Sequence, residues 1–335
     1  VKTVYCILRT LCCLVLTLGT ASADEPKPPL VLERTIPLQD VSGRIDHMAI
    51  DPGRNRLLVA ELGNGTVDIV DLRTGKPVHR IAGLREPQGI GYAPRSDMIA
   101  IASAGDGSVR LLRGTDFAPV ATIGLGEDAD NVRLDPQTGQ LLVGYGAGGL
   151  VLIDPANQTV VSRIKLPVHP EGFQLDPVAR RVYVNLPNAQ EVAVVDLAAG
   201  TQAMAWRVPG MRANFPMARA DTDGMLATVF RDPPRLVLLN PRTGAVQSSL
   251  PTCGDADDVF FDSHRLRIYI SCGDGTIDVL QKGATTYRSV AKVKTSSGAR
   301  TSLFVPELDR FFVASRAGYF GFGSDAAILV FRPLP

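Results

Sequence analysis

The chain has 335 residues, 45% of them hydrophobic, with 35 Lys and Arg against 34 Asp and Glu. Near neutrality removes the electrostatic basis for a nucleic-acid or anionic-membrane partner. No apolar run after the N-terminus reaches the ~18 residues that a membrane helix needs.

The first 23 residues read as a secretory leader: Lys2 and Arg9 mark a charged start, Leu11 to Gly19 an apolar core, and Ala21-Ser22-Ala23 a small-residue cleavage site. The apolar core is too short for a membrane anchor, and no Cys follows the small residues to carry a lipid. Cleavage after Ala23 would leave a nearly neutral mature chain in the periplasm or outside the cell. Residues 24–29 (DEPKPP) form a polar, Pro-rich lead-in expected to be disordered. Residues 30–38 (LVLERTIPL) then read as a lone extended segment with no partner in their own unit.

From Asp46 the chain repeats seven times at a spacing of about 42 residues, as in DHMAIDPGRNRLLVAELGNGTVDIVDLRTGK and GFQLDPVARRVYVNLPNAQEVAVVDLAAGT. Each unit runs strand, Asp-Pro or equivalent turn, strand, Gly- or Asn-bearing turn, strand, strand. The equivalent first-turn positions are Asp51, Ala93, Asp135, Asp176, Ala220, Asp262 and Val305. Such a unit cannot bury both faces of its sheet alone, so the units must stack around an axis. The fold expected over 30–335 is an all-β, seven-bladed propeller with four antiparallel strands per blade. The seventh unit supplies only three strands (TSLFV, RFFVAS, AAILVF), so 30–38 is expected to complete that blade as its outermost strand and remove a free sheet edge. The glycines of GNGT (63–66), GDGS (105–108), GAGG (146–149) and GDGT (273–276) lie between strands and open no helix. They shape reversals rather than cradle phosphate.

Cys6, Cys12 and Cys13 leave with the leader. Cys253 precedes the first strand of the sixth unit and Cys272 ends its second, which puts both on one rim of a blade. A Cys253–Cys272 disulfide is expected, worth about 3 kcal/mol for a loop of that length.

Second strands such as RVYVNL (181–186) and RIYISC (267–272) come near a Tyr-Val-Thr-Asn repeat. Across 37–335 the chain resembles the YVTN-repeat, YncE-like family of exported bacterial propellers. The resemblance implies architecture and leaves function open, because the fold hosts binding modules and enzymes alike.

Propeller sites lie where innermost strands begin. Five residues before each turn stand Asp46, Gln88, Asp130, Glu171, Phe215, Asp257 and Arg300; four before stand His47, Gly89, Asn131, Gly172, Pro216, Asp258 and Thr301. Rotational symmetry must gather these around one axis. Five carboxylates on one rim repel each other unless a cation compensates. Arg300 offsets one, and the surplus invites a divalent cation (calcium, magnesium or zinc) on donors such as Asp130, Glu171 and Asp257, with His47 as a nitrogen ligand. Arg44 and Arg133 are expected to pair with the carboxylates, and His169, just before Glu171, adds a second imidazole. A neutral or anionic ligand held by Arg300 and the amides, and a merely wet channel end, are the alternatives. The segment 315–326 inserts about ten extra residues on the same rim, and Tyr319, Phe320 and Phe322 could form an aromatic lid over the ring.

The reading that emerges is a monomeric exported binding module for a small molecule, cation or protein partner, without catalysis. The ring is also similar to those of gluconolactonase-type lactone hydrolases and streptogramin-lyase-like enzymes, which hold a divalent metal at a propeller mouth; that likeness implies a metal-dependent alternative. The blade number departs from the first, and no diagnostic motif of either is present. Likeness to propeller subunits of amine dehydrogenases and nitrous oxide reductase implies a third role, as scaffold for a redox partner, although no haem-attachment motif is present.

Overall fold

The computed structural model describes residues 27–318 and 325–335. The leader (1–23) and the lid residues Tyr319, Phe320 and Phe322 lie outside the described residues. Strands 48–81, 87–124, 129–165, 173–206, 212–251 and 256–294 make blades 1 to 6, each a four-stranded antiparallel sheet paired in chain order. Blade 7 takes Ser302–Val305, Arg310–Ser315 and Ala327–Pro333 from the C-terminal end and Leu30–Pro37 as its outer strand. The closing pair runs antiparallel from Leu30 opposite Pro333 to Pro37 opposite Ala327. Order reaches one residue further: Pro29, assigned by sequence to the lead-in, is buried, and its carbonyl accepts the Leu334 N–H at 2.9 Å.

The inner strands are apolar on both faces because each blade is covered on both sides. Leu57, Leu58, Val59 and Ala60 of blade 1 are all fully buried. Outer strands meet water on alternate residues, as in Thr201–Trp206, where exposed and partly buried positions alternate up to a buried Trp206. Seven apolar clusters result, and each spans one junction between neighbouring blades. The blade 7 to blade 1 cluster, for example, joins Ile36, Phe312 and Ile328 to Leu57 and Val59. At about 1.5–3 kcal/mol per buried large aliphatic or aromatic side chain, these junctions dominate the stabilisation. Cys253 and Cys272 form the expected disulfide, with Cα atoms 5.9 Å apart, buried in the cluster between blades 5 and 6.

Around the axis the innermost strands approach so closely that one position tolerates no side chain. A Cβ on Gly89 would lie 2.0 Å from the Asp130 carbonyl oxygen. The neighbouring backbones are linked here, His47 N–H donating to the Gln88 carbonyl at 3.3 Å and Gly172 N–H to that of Phe215 at 3.1 Å.

Candidate functional site

The inner strands of blades 2, 3, 5 and 6 each slip register near their start, between Pro87 and Ile90, Ala129 and Val132, Asn214 and Met217, and Ala256 and Asp258. A bulge places two residues opposite one and re-aims their side chains. Polar residues that would otherwise alternate between sheet faces thereby turn towards the axis. Asp46, His47, Asp130, Asn131, Glu171, Phe215, Asp257 and Asp258 come together, with Arg44, Arg133, Gly172, Pro216 and Met217, around one cavity of about 40 Å³. Residues from five blades, up to 214 positions apart, share that wall.

Three predicted residues stand at its edge. Arg300 binds Asp255 (Nη1–Oδ1 2.8 Å) and Asp257 (Nε–Oδ2 3.0 Å). Gln88 bridges loosely, at 3.5 Å each, from Arg44 to Asp128. Thr301 is buried and its hydroxyl donates to the Ile45 carbonyl at 3.0 Å, tying blade 7 to blade 1 instead of facing a ligand.

Compensation of the carboxylates is more complete than the sequence suggests. Arg44 pairs with Asp46, and Arg231 pairs with Asp257 and reaches Asp255 at 3.4 Å. Arg231 belongs to the second strand of blade 5, outside the counted innermost-strand positions; its guanidinium also lies over the Phe215 ring, 3.8 Å from the centroid. His47 Nε2 and His169 Nε2 approach the two oxygens of Asp130, each at 3.8 Å, and His169 Nδ1 donates to the Gly146 carbonyl at 2.7 Å. Asp128 adds a carboxylate 3.6 Å from His169. The expected pairing of Arg133 does not occur: among the described residues no carboxylate lies within ion-pair distance, and its Nη1 donates to the Val132 carbonyl at 2.9 Å, with Phe173 beneath it at 5.7 Å. Arg133 still lines the cavity and lies near enough to feel the charges of Asp258 and Asp130.

Arg44, Asp128, His169 and Asp255 were outside the two counted tiers, yet all stand seven residues before the same turns. A third tier read from the repeat would have found them. Asp128 and Asp255 sit there at positive φ, 30° and 55°, where the chain bends into the innermost strand.

The protonation states follow from burial and neighbours. Burial alone would lower the imidazoles, but Asp46, Asp130 and Asp258 hold His47 above its usual value, and Asp130, Gly146 and Asp128 lift His169 to about 9. Burial would raise Asp130, yet the two imidazoles hold it below the ordinary carboxylate range. Glu171 and Asp258 are pushed up to about 7, chiefly by burial and then by neighbouring acids. Asp258 at least accepts the Ser302 N–H at 2.6 Å. The Glu171 carboxylate has no hydrogen bond or ion pair among the described residues, and neither does the buried Oδ1 of Asn131.

Among the described residues, the one group of three His, Cys, Asp or Glu donors lying within 4.8 Å of one another is Cys253, Cys272 and Asp274. Its sulfurs are joined in the disulfide and are not thiolate ligands. The ring donors stand further apart, braced by their own counter-charges.

No family model matches the chain, and no curated protein matches it. Solved structures do. The chain is similar to one from Kuenenia stuttgartiensis hydrazine synthase, with TM-score 0.74 and 16% identity over 88% of this chain and 97% of that one. It is likewise similar to a chain of a mitotic checkpoint complex, with TM-score 0.77 and 13% identity over 96% and 98%. At such identities the likeness establishes the seven-bladed β-propeller and nothing about chemistry.

Proposed function

We propose that this protein is an exported binding module of the YVTN-repeat type whose axial ring holds the protonated amine of a small ligand. The observation that carries this is the buried Asn131 Oδ1, which has no hydrogen-bond partner among the described residues, beside the half-buried Glu171 carboxylate in the same wall. An acceptor left without a donor on a buried face costs roughly 1–3 kcal/mol, which a donor-bearing ligand would recover. Seven carboxylates line the ring with four guanidiniums and two imidazoles, so the charge becomes negative as Glu171 and Asp258 ionise, at about pH 7 and above. A cavity of about 40 Å³ admits one ammonium or one water. The rest of such a ligand would lie outside it. The apolar leader and the Cys253–Cys272 bridge support an oxidising compartment.

Titration of ethylammonium and putrescine into the protein by calorimetry tests this, with calcium, magnesium and zinc as separate arms. Amine binding should strengthen as pH rises through about 7, where Glu171 ionises, and should disappear in Glu171→Gln. Binding of a metal ion alone, lost in Asp130→Ala, would replace the amine by a divalent cation. Amine affinity unchanged in Glu171→Gln would sink the reading.

A further inference from the structure

At the far end of each innermost strand from the ring, the chain turns into the second strand, and there arginines tie blade to blade. Arg54 reaches Asp97 at 2.9 Å, Arg95 the carbonyls of Pro136 and Gln137 at 2.9 and 2.8 Å, Arg219 reaches Asp176 at 3.1 Å and Arg265 reaches Asp309 at 2.7 Å. Arg180 pairs with Asp135 in the same way. These join blades 1–2, 2–3, 4–5, 6–7 and 3–4. At the 5–6 and 7–1 junctions no arginine pairs with an acid across these first turns among the described residues. Clefts lined by the turns open there instead, of about 210 Å³ at 5–6 and about 250 Å³ at 7–1.

The two clefts differ in charge. The 5–6 cleft carries Asp223 and Asp262 against Lys282. The 7–1 cleft has an apolar floor that includes Ile36, Leu308 and Phe312, and its edge holds Arg34, Arg73 and Arg310 against a single acid, Glu33. Glu33 is occupied by Arg310, whose Nη2 donates to Oε1 at 3.0 Å. Arg34 crosses the gap and donates one bond, to the Leu72 carbonyl at 3.1 Å. The Arg73 side chain is 72% exposed and its guanidinium reaches Asp71 only at 3.4 Å. Two guanidiniums therefore keep free donors beside an apolar hollow, a combination that suits a carboxylate borne on hydrocarbon.

We propose that the cleft between blades 7 and 1 binds a small organic anion, a monocarboxylate whose aliphatic or aromatic body is about the size of hexanoate or benzoate. The body rests on Phe312 and Leu308 while the carboxylate meets Arg73 and Arg34. This site is separate from the axial ring and does not depend on what the ring holds.

Calorimetric titration of the whole protein with hexanoate, acetate and hexan-1-ol tests it, with the binding surface mapped by methyl NMR. Hexanoate should bind one to one, about tenfold or more tighter than either truncated probe, since each lacks one of the two interactions. Perturbed methyls should include Leu308 and Leu72, and those of Leu238 and Leu266 at the 5–6 cleft should stay still. Arg73→Gln, which alters an exposed side chain, should weaken hexanoate about fivefold or more. Hexan-1-ol binding as tightly as hexanoate would overturn the proposal, as would shifts confined to the 5–6 cleft. So would hexanoate affinity unchanged in both Arg73→Gln and Arg34→Gln, or no saturable binding.

Discussion

Glu171 illustrates how a single side chain can weaken the fold that holds it. Its carboxyl titrates near 7 against an ordinary 4.5, because burial and the charges of Asp130 and Asp257 favour the protonated form. The folded state thus binds more protons than the unfolded state between those pH values, so stability falls as pH rises from about 4.5 to about 7 and is level above. Asp258 acts in the same direction from 3.8 to about 7. His169, lifted from 6.5 to about 9 by its acids, contributes stability that is full below 6.5 and lost as pH rises through about 9. All three slopes have one sign. Chemical denaturation should show a decline from pH 5 to pH 9. Glu171→Gln should be more stable than the parent at pH 8 by about 1–3 kcal/mol, allowing for partial solvent screening, and no different near pH 4.5. A variant less stable at pH 8 would mean that Glu171 is already compensated.

The element scale explains what was legible in advance. A period near 42 residues located every blade, the closing strand at 30–38 and the Cys253–Cys272 bridge, because those follow from pairing order alone. The same alignment placed eight ring residues around one cavity. It missed Arg231 because that side chain comes from a second strand, outside any count along the first. It placed Arg133 beside the acids, whose cavity it does line, but proximity along the chain could not show that no carboxylate comes within pairing distance. Gly89 is the device that lets blades 2 and 3 meet at the bulge between Ala129 and Val132. With its Cβ 2.0 Å from the Asp130 carbonyl oxygen, Gly89→Ala should cost about 3 kcal/mol and displace Asp130. Loss of ring binding with a lowered melting temperature is the expected outcome; parental stability would show that the strands can part freely. In the core between blades 5 and 6, replacing both Cys253 and Cys272 by Ser should lower stability by about 3 kcal/mol, read by denaturant midpoint.

Across the whole molecule, stability is held in seven junctions of similar kind, so the ring is as strong as its closure. An open array of blades would unfold piecewise from its ends, each unit depending on its neighbours alone. Leu30–Pro37 converts the array into a circle, burying Leu30 and Ile36 at the two junctions of blade 7. Trp206, the only tryptophan, is 9% exposed and packs 5.7 Å from the ring of Tyr183 between blades 4 and 5, on the other side of the ring from the seam. It therefore reports from a site that touches nothing in the closing strand. Ile36→Asp, which places a charge in the junction between blades 7 and 1, should lower the Trp206 fluorescence midpoint and the far-UV circular dichroism midpoint together, by several kcal/mol in equivalent stability. Coincident shifts require that loss of the seam is transmitted through every junction, as two-state unfolding of a closed ring demands. If the Trp206 transition kept its parental midpoint while the dichroism signal split, blades 4 and 5 would be standing alone and the strand would be a local clasp.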